Sequence, residues 1–155
     1  MTGLNGCGNG QKFLVVDDHE AVLQGTVPAL KKAYPDAEIH TAKDYAAATK
    51  TVEEFRPCLM VVDLSIPGST DETASPDVGL KLVEQILKGQ LLPGKWAPNV
   101  AVLSTDINPL VRLKTIIKAY EGGFAAMDKA LPLQEMIYYI SFAMRGSVYL
   151  PQSVK

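Results

Sequence analysis

Three short apolar runs organise the chain, and each stops abruptly at polar residues. Lys12 to Val16 (KFLVV) stops at Asp17-Asp18, Cys58 to Val62 (CLMVV) stops at Asp63, and Val100 to Leu103 stops at Ser104-Thr105. Runs rich in β-branched residues, without polar alternation, suit strands covered on both faces, as in a parallel sheet flanked by helices. Two further strands are predicted, a short one over Glu38 to Thr41 and a last one over Phe124 to Met127.

The intervening segments carry helical spacing. Glu20 to Tyr34 places Val22, Val27, Leu30 and Ala33 near one stripe, with Pro28 expected to kink the helix or mark its inner turn. Lys43 to Phe55 is alanine-rich and closed by Arg56-Pro57. Val78 to Leu87 puts Leu80, Val83 and Leu87 on one face, with Leu82 and Ile86 beside them. A helix from about Pro109 to Tyr120 ends at Gly122-Gly123, and a final helix, Pro132 to Met144, opens on a proline favoured in the first turn. Five strands alternating with five helices predict right-handed crossovers and a doubly wound α/β sheet in one domain. In such sheets the site lies beyond the carboxyl ends of the strands. Asp17, Asp18, Asp63, Ser104 and Lys129 all fall just past predicted strand ends, so the topology can bring them together.

Composition narrows the function classes. The 155 residues are 47% hydrophobic and 21% charged, an ordinary single-domain balance. Such a chain buries roughly 70% of its unfolded surface and needs no disulfide or metal to fold. With 15 basic and 17 acidic residues it lacks the positive surplus of a stand-alone nucleic-acid binder. The start, MTGLNGCGNGQ, has neither a basic nor an apolar leader region, and no run of 18 apolar residues occurs, so a cytoplasmic protein without membrane contact is expected. Residues 1–11 read as a flexible tail, because a phosphate-binding glycine loop would have to follow a strand. Cys7 lies in that glycine-rich start and Cys58 at the head of an apolar run. From those unlike settings a shared disulfide is not expected, and neither is a zinc site.

Three carboxylates crowded into one pocket repel each other, and a hard divalent cation with oxygen ligands relieves that repulsion. Magnesium suits such a set, since it takes a few carboxylates, keeps waters and favours phosphate oxygens. A carboxylate beside it can attack a phosphoryl group and form an acyl phosphate. The cation and Lys129 would neutralise charge on the transferred oxygens, and the Ser104 hydroxyl could hydrogen-bond the bound group. His19 reads as a first-turn residue beside this pocket rather than a catalytic base. Asp18 alone could be merely the N-cap of the first helix, but with Asp17 and Asp63 in place it reads as a metal acid.

The order VVDDHEAV, LMVVDLSIP, VAVLST and then a lysine after the fifth strand resembles the receiver domain of two-component response regulators, over Lys12 to about Arg145. The resemblance implies a five-stranded flavodoxin-like sheet of order 2-1-3-4-5, with the receiver over 12–146 and a C-terminal tail or linker start over 147–155. It implies that Asp63 accepts a phosphoryl group from a sensor histidine kinase. Asp17 and Asp18 would be the metal acids, with Asp63 and the Ser65 backbone carbonyl as further magnesium ligands. Ser104 would be the switch hydroxyl, Lys129 the phosphoryl contact and Pro67 the loop proline. Asp17-Asp18-His19 and the ending Arg145 to Pro151 look most like receivers attached to LuxR/NarL-type helix-turn-helix domains. The implied role is a signalling switch rather than an enzyme, with dimerisation or effector docking on the face of the fourth helix, fifth strand and fifth helix. DNA would be reached only through an effector domain outside this sequence.

The sequence departs from that family at three places. A glycine usually follows the loop proline by four positions, whereas Gly79 lies twelve beyond Pro67, so Gly68 to Val78 reads as a polar, mobile insertion at the lip of the site. Ala126 stands three before Lys129, where receivers carry the aromatic residue of the switch. Phe124, two residues earlier on the same strand face, is the available substitute. Thr105 follows Ser104 where a smaller residue is usual, and Asp106 and Ser65 occupy positions that tune dephosphorylation in the family.

Two other readings compete. A pseudo-receiver would bind partners without being phosphorylated, consistent with Ala126, Thr105 and the Gly68 to Val78 insertion. A haloacid-dehalogenase-like phosphatase also begins with an aspartate after a strand, but needs a second aspartate two residues on, where this chain has Ser65.

Overall fold

In a computed structural model, which describes Cys7 and residues 10–155, the chain alternates strands and helices. The strands are β1 (Lys12–Val16), β2 (Glu38–Ala42), β3 (Leu59–Val62), β4 (Asn99–Ser104), β5 (Phe124–Asp128) and β6 (Val148–Tyr149). The helices are α1 (Glu20–Ala33), α2 (Tyr45–Phe55), α3 (Pro76–Leu87), α4 (Lys114–Ala119) and α5 (Leu133–Met144), with a 3-10 helix over Asn108–Leu113. The expected flexible start lies mostly outside the described residues.

All pairings in the sheet are parallel, in the order β2-β1-β3-β4-β5-β6. Strict alternation along the central strands sorts side chains between two cores. Leu14, Val16, Met60 and Val62 face the core under α2, α3 and α4. Phe13, Val15, Leu59 and Val61 face the core under α1 and α5. Because both faces are covered, β3 and β4 are buried at every position, which is why their sequences carry no polar alternation.

Local chemistry sets the helix ends. Asp44 caps α2, accepting from the Ala47 N–H at 2.7 Å, and Arg56 closes it in the left-handed region at φ 48° before Pro57. Ser75 caps α3, so this helix opens at Pro76, two residues before the expected Val78.

Four expectations need correction. The sheet has a sixth strand: after α5 the chain reverses at Gly146, whose φ of 79° suits glycine, and runs Val148–Tyr149 alongside Phe124 and Ala125. Leu150 and Val154 then enter the core that holds Leu113 and Ile117, and Lys114 Nζ donates to the Lys155 carbonyl at 2.8 Å. Residues 148–155 therefore lie over the β5 edge and beside α4.

The single helix expected over Pro109 to Tyr120 is instead a 3-10 segment followed by a six-residue α4. Pro109 lacks an N–H, and Val111, Thr115, Ile116 and Ile117 are β-branched, so the α-helix is weakly favoured here. In α1 the buried stripe is Leu23, Thr26 and Leu30 rather than Val22, Val27 and Ala33, and the helix runs on through Pro28. Finally, Cys7 and Cys58 form a disulfide, with Cα atoms 5.1 Å apart. Because β1 and β3 are neighbours, the Cys58 N–H donates to the Lys12 carbonyl at 2.8 Å. The residue before β3 and the segment before β1 thus meet at the amino end of the sheet, a proximity that 51 residues of separation conceal.

Candidate functional site

The carboxyl ends of β1, β3, β4 and β5 form the rim of one acidic pocket. Asp17 and Asp63 continue the hydrogen-bonding pattern of β1 and β3. The Asp17 N–H donates to the Ala42 carbonyl at 3.0 Å and the Asp63 N–H to the Val16 carbonyl at 2.9 Å. Their side chains are almost fully buried, as is Ser104 at the end of β4. Lys129 follows β5, anchored by its N–H to the Ser104 carbonyl at 3.0 Å.

Electrostatics tie the residues together. Lys129 Nζ lies 2.7 Å from Asp63 Oδ2 and 3.0 Å from Asp17 Oδ2. The Ser65 N–H donates to Asp63 Oδ1 at 3.2 Å. Burial pushes the Asp63 carboxyl above its ordinary range and the charge of Asp17 adds to this, while Lys129 and the Ser65 N–H oppose it. For Lys129, burial works against the charged form. The hydrogen bonds and charges of Asp63 and Asp17 outweigh it, and the ammonium is held above its usual pKa.

The ligand atoms of Asp17, Asp18, His19 and Asp63 lie within 4.8 Å of one another. Asp18 Oδ1 is buried without a hydrogen-bond donor, although the His19 ring passes 3.2 Å away. An orphaned carboxylate oxygen beside two other buried carboxylates fits a hard divalent cation such as magnesium. Of the other expected contributors, Ser65 is half-buried next to Asp63. Ser104 Oγ faces the Asp106 N–H at 3.4 Å, and Thr105 is exposed at the rim.

The inserted loop walls one side. Tyr45 and Ala46 N–H groups at the start of α2 donate to the Pro67 and Gly68 carbonyls, and Ile66 and Ser75 form an isolated bridge across the loop base. A cleft of about 640 Å³ opens there, lined by Asp18, Lys43, Asp44, Pro67, Thr70 and Glu72. Ala126 is fully buried opposite Val102. Phe124 shares its face but pairs with Val100, about 6–7 Å further from the pocket.

Sequence reasoning gave His19 only a place beside the pocket, yet its imidazole turns back over the acids, 3.1 Å from Asp17 Oδ1 and 3.3 Å from Lys129 Nζ. The available signal was its position directly after the acid pair.

No family model matches the chain. Among solved structures, it resembles the isolated receiver (REC) domain of RcsB from Salmonella enterica serovar Typhimurium, determined with the phosphomimetic BeF3-. The identity is 19%, covering 94% of this chain and 96% of that one at a TM-score of 0.68. A LuxR-family response regulator from Aurantimonas sp. SI85-9A1 is 19% identical, over 94% and 93% of the two chains, at a TM-score of 0.64. Among curated proteins, 82 residues are 33% identical to protein-glutamate methylesterase/protein-glutamine glutaminase 3 of Vibrio cholerae, 53% of this chain and 20% of that protein. The chain thus spans about a fifth of the curated relative it matches. The fold is that of these receiver domains.

Proposed function

We propose that the protein is a two-component receiver in which Asp63 accepts a phosphoryl group from a sensor histidine kinase. The observation that carries this reading is the meeting of Asp17, Asp18 and Asp63 with Lys129 at the carboxyl end of the sheet. Asp63 supplies a carboxylate oxygen that attacks phosphorus, forming the P–O bond of an acyl phosphate as the P–N bond to the kinase imidazole breaks and that nitrogen regains its lone pair. Lys129 favours the ionised form of Asp63 before transfer, against the effect of burial, and pairs with the phosphoryl oxygens afterwards. Asp17 and Asp18 would hold magnesium together with Asp63 and the Ser65 carbonyl. When bound, magnesium supplies positive charge against the transferred oxygens. Ser104 offers the hydroxyl that senses the phosphoryl group, one residue before the loop leading to the 3-10 segment.

The role is that of a switch without a separate substrate. Any control of transcription would pass through an effector domain, and the cytoplasm is the compartment this reading fits. Among the described residues no helix is long and apolar enough to cross a membrane. A phosphorylation-independent pseudo-receiver is the second reading, favoured by Ala126 at the usual aromatic position. Acetyl phosphate with magnesium separates the two: a labile mass increase on Asp63, absent in Asp63→Asn, supports the receiver, and its absence in the native chain favours the pseudo-receiver.

A further inference from the structure

We infer that His19 is an additional ligand of the cation site, one that shifts the site from magnesium toward divalent ions that accept nitrogen, such as manganese or cobalt. The inference rests on the reading of this pocket as a cation site.

His19 occupies the N-cap position of α1, yet its side chain makes no capping hydrogen bond. Its N–H is bound to Asp17 Oδ1 at 2.9 Å, which fixes the backbone beside the acids, and the ring folds back over them. Nδ1 lies 3.1 Å from Asp17 Oδ1 and 3.2 Å from Asp18 Oδ1. Two adjacent ligands of a six-coordinate ion with bonds of about 2.1–2.2 Å stand about 3.0–3.1 Å apart, so these separations match a shared ion. Asp63 Oδ2, at 3.9 Å from Nδ1, lies between the adjacent and opposite spacings of such a site.

The ring's chemistry agrees. Nδ1 stands between the Lys129 ammonium, a donor 3.3 Å away, and carboxylate oxygens that only accept, so its partner depends on the tautomer, and in the Nε2–H form its lone pair meets the ammonium. A metal would use that same lone pair in the same Nε2–H tautomer. The imidazole is more than half exposed, so it can move the few tenths of an ångström that ligation requires. Asp18 Oδ1, buried without a donor, is 3.2 Å from the same nitrogen. Magnesium gains little from an imidazole in place of a water oxygen, whereas divalent transition ions gain more, manganese least and cobalt more, following the Irving–Williams order.

The test uses the full chain at neutral pH, titrated separately with magnesium and manganese by calorimetry. Pulsed electron paramagnetic resonance of the manganese-loaded protein reads directly coordinated nitrogen. The sequence holds only two histidines, and His40 pairs with Glu38 on β2, so His40→Ala is the control. The expected result is a nitrogen coupling present in the native chain and in His40→Ala, absent in His19→Ala and His19→Gln. The preference for manganese over magnesium should fall about tenfold in both His19 variants. Manganese binding without nitrogen coupling, and with the same preference in the His19 variants, overturns the inference and leaves the receiver reading intact. Failure of both metals to bind, with Asp63→Asn making no difference, overturns both.

Discussion

Lys129 places its ammonium 2.7 Å from the Asp63 carboxylate, across 66 residues of sequence. It bridges to Asp17 at 3.0 Å as well, so one lysine balances two buried acids. Replacing it leaves those acids facing each other. Lys129→Met is expected to lose about 1.5–3 kcal/mol at neutral pH without divalent ions, measured by urea unfolding. Magnesium should recover more stability in this variant than in the native chain, because the cation then opposes two uncompensated charges. An equal magnesium effect in both proteins would count against a shared site.

Gly79 and Gly25 make opposite predictions. A Cβ on Gly79 would stand 2.1 Å from the Leu64 carbonyl oxygen, which accepts the Gly79 N–H at 2.9 Å. Backbone must shift to admit it, directly beside Asp63. Gly79→Ala should cost about 1–3 kcal/mol and weaken cation binding. A Cβ on Gly25, inside α1, meets only Leu133 Cδ1 at 3.9 Å, so Gly25→Ala should gain about 0.5–1 kcal/mol. Denaturant midpoints of the two variants check both signs.

The Cys7–Cys58 disulfide closes a long loop at the end of the sheet opposite the acids. Reduction should lower stability by about 2–4 kcal/mol, since the cross-link restricts the unfolded chain. Thermal melts with and without dithiothreitol measure this. Cys58→Ser should melt like the reduced protein and ignore the reductant. Cation binding should be unchanged in either state.

Tyr120 donates its hydroxyl to the Pro98 carbonyl at 2.5 Å. Burial, with a smaller contribution from Glu121, raises its pKa well above the ordinary tyrosine value. Above about pH 10 the unfolded chain releases this proton while the folded chain retains it, so native stability falls as pH rises. Tyr120→Phe should be less stable by about 1 kcal/mol near neutrality, from the lost hydrogen bond. The gap should narrow above pH 10, where only the native chain carries that penalty. Urea midpoints at pH 7, 9 and 10.5 would show it, and a constant gap would contradict the raised value.

How far the pocket could be read in advance depended on the distance over which each signal acts. Asp17, Asp63 and Ser104 each end an apolar run, and a parallel sheet sends every such end to one side. That placement follows from strand polarity and short-range pattern. His19 carried no periodic signal, because the direction of one exposed ring depends on the acids around it. Ser75 capped α3 earlier than the apolar period indicated, since a cap acts on backbone N–H groups and not on the buried face.

The sequence by itself determined the alternation of strands and helices, the two-sided burial of β3 and β4, and the order in which the polar residues leave the sheet. These follow from hydrophobic periodicity and backbone propensity, which act within a few residues. The tertiary structure alone decided the rest. It paired Cys7 with Cys58 by setting β1 beside β3 and laid Val148–Tyr149 on the edge of β5. It also turned His19 over the carboxylates. Each of these depends on contacts between segments distant in sequence, where the deciding energy comes from what the sheet brings together.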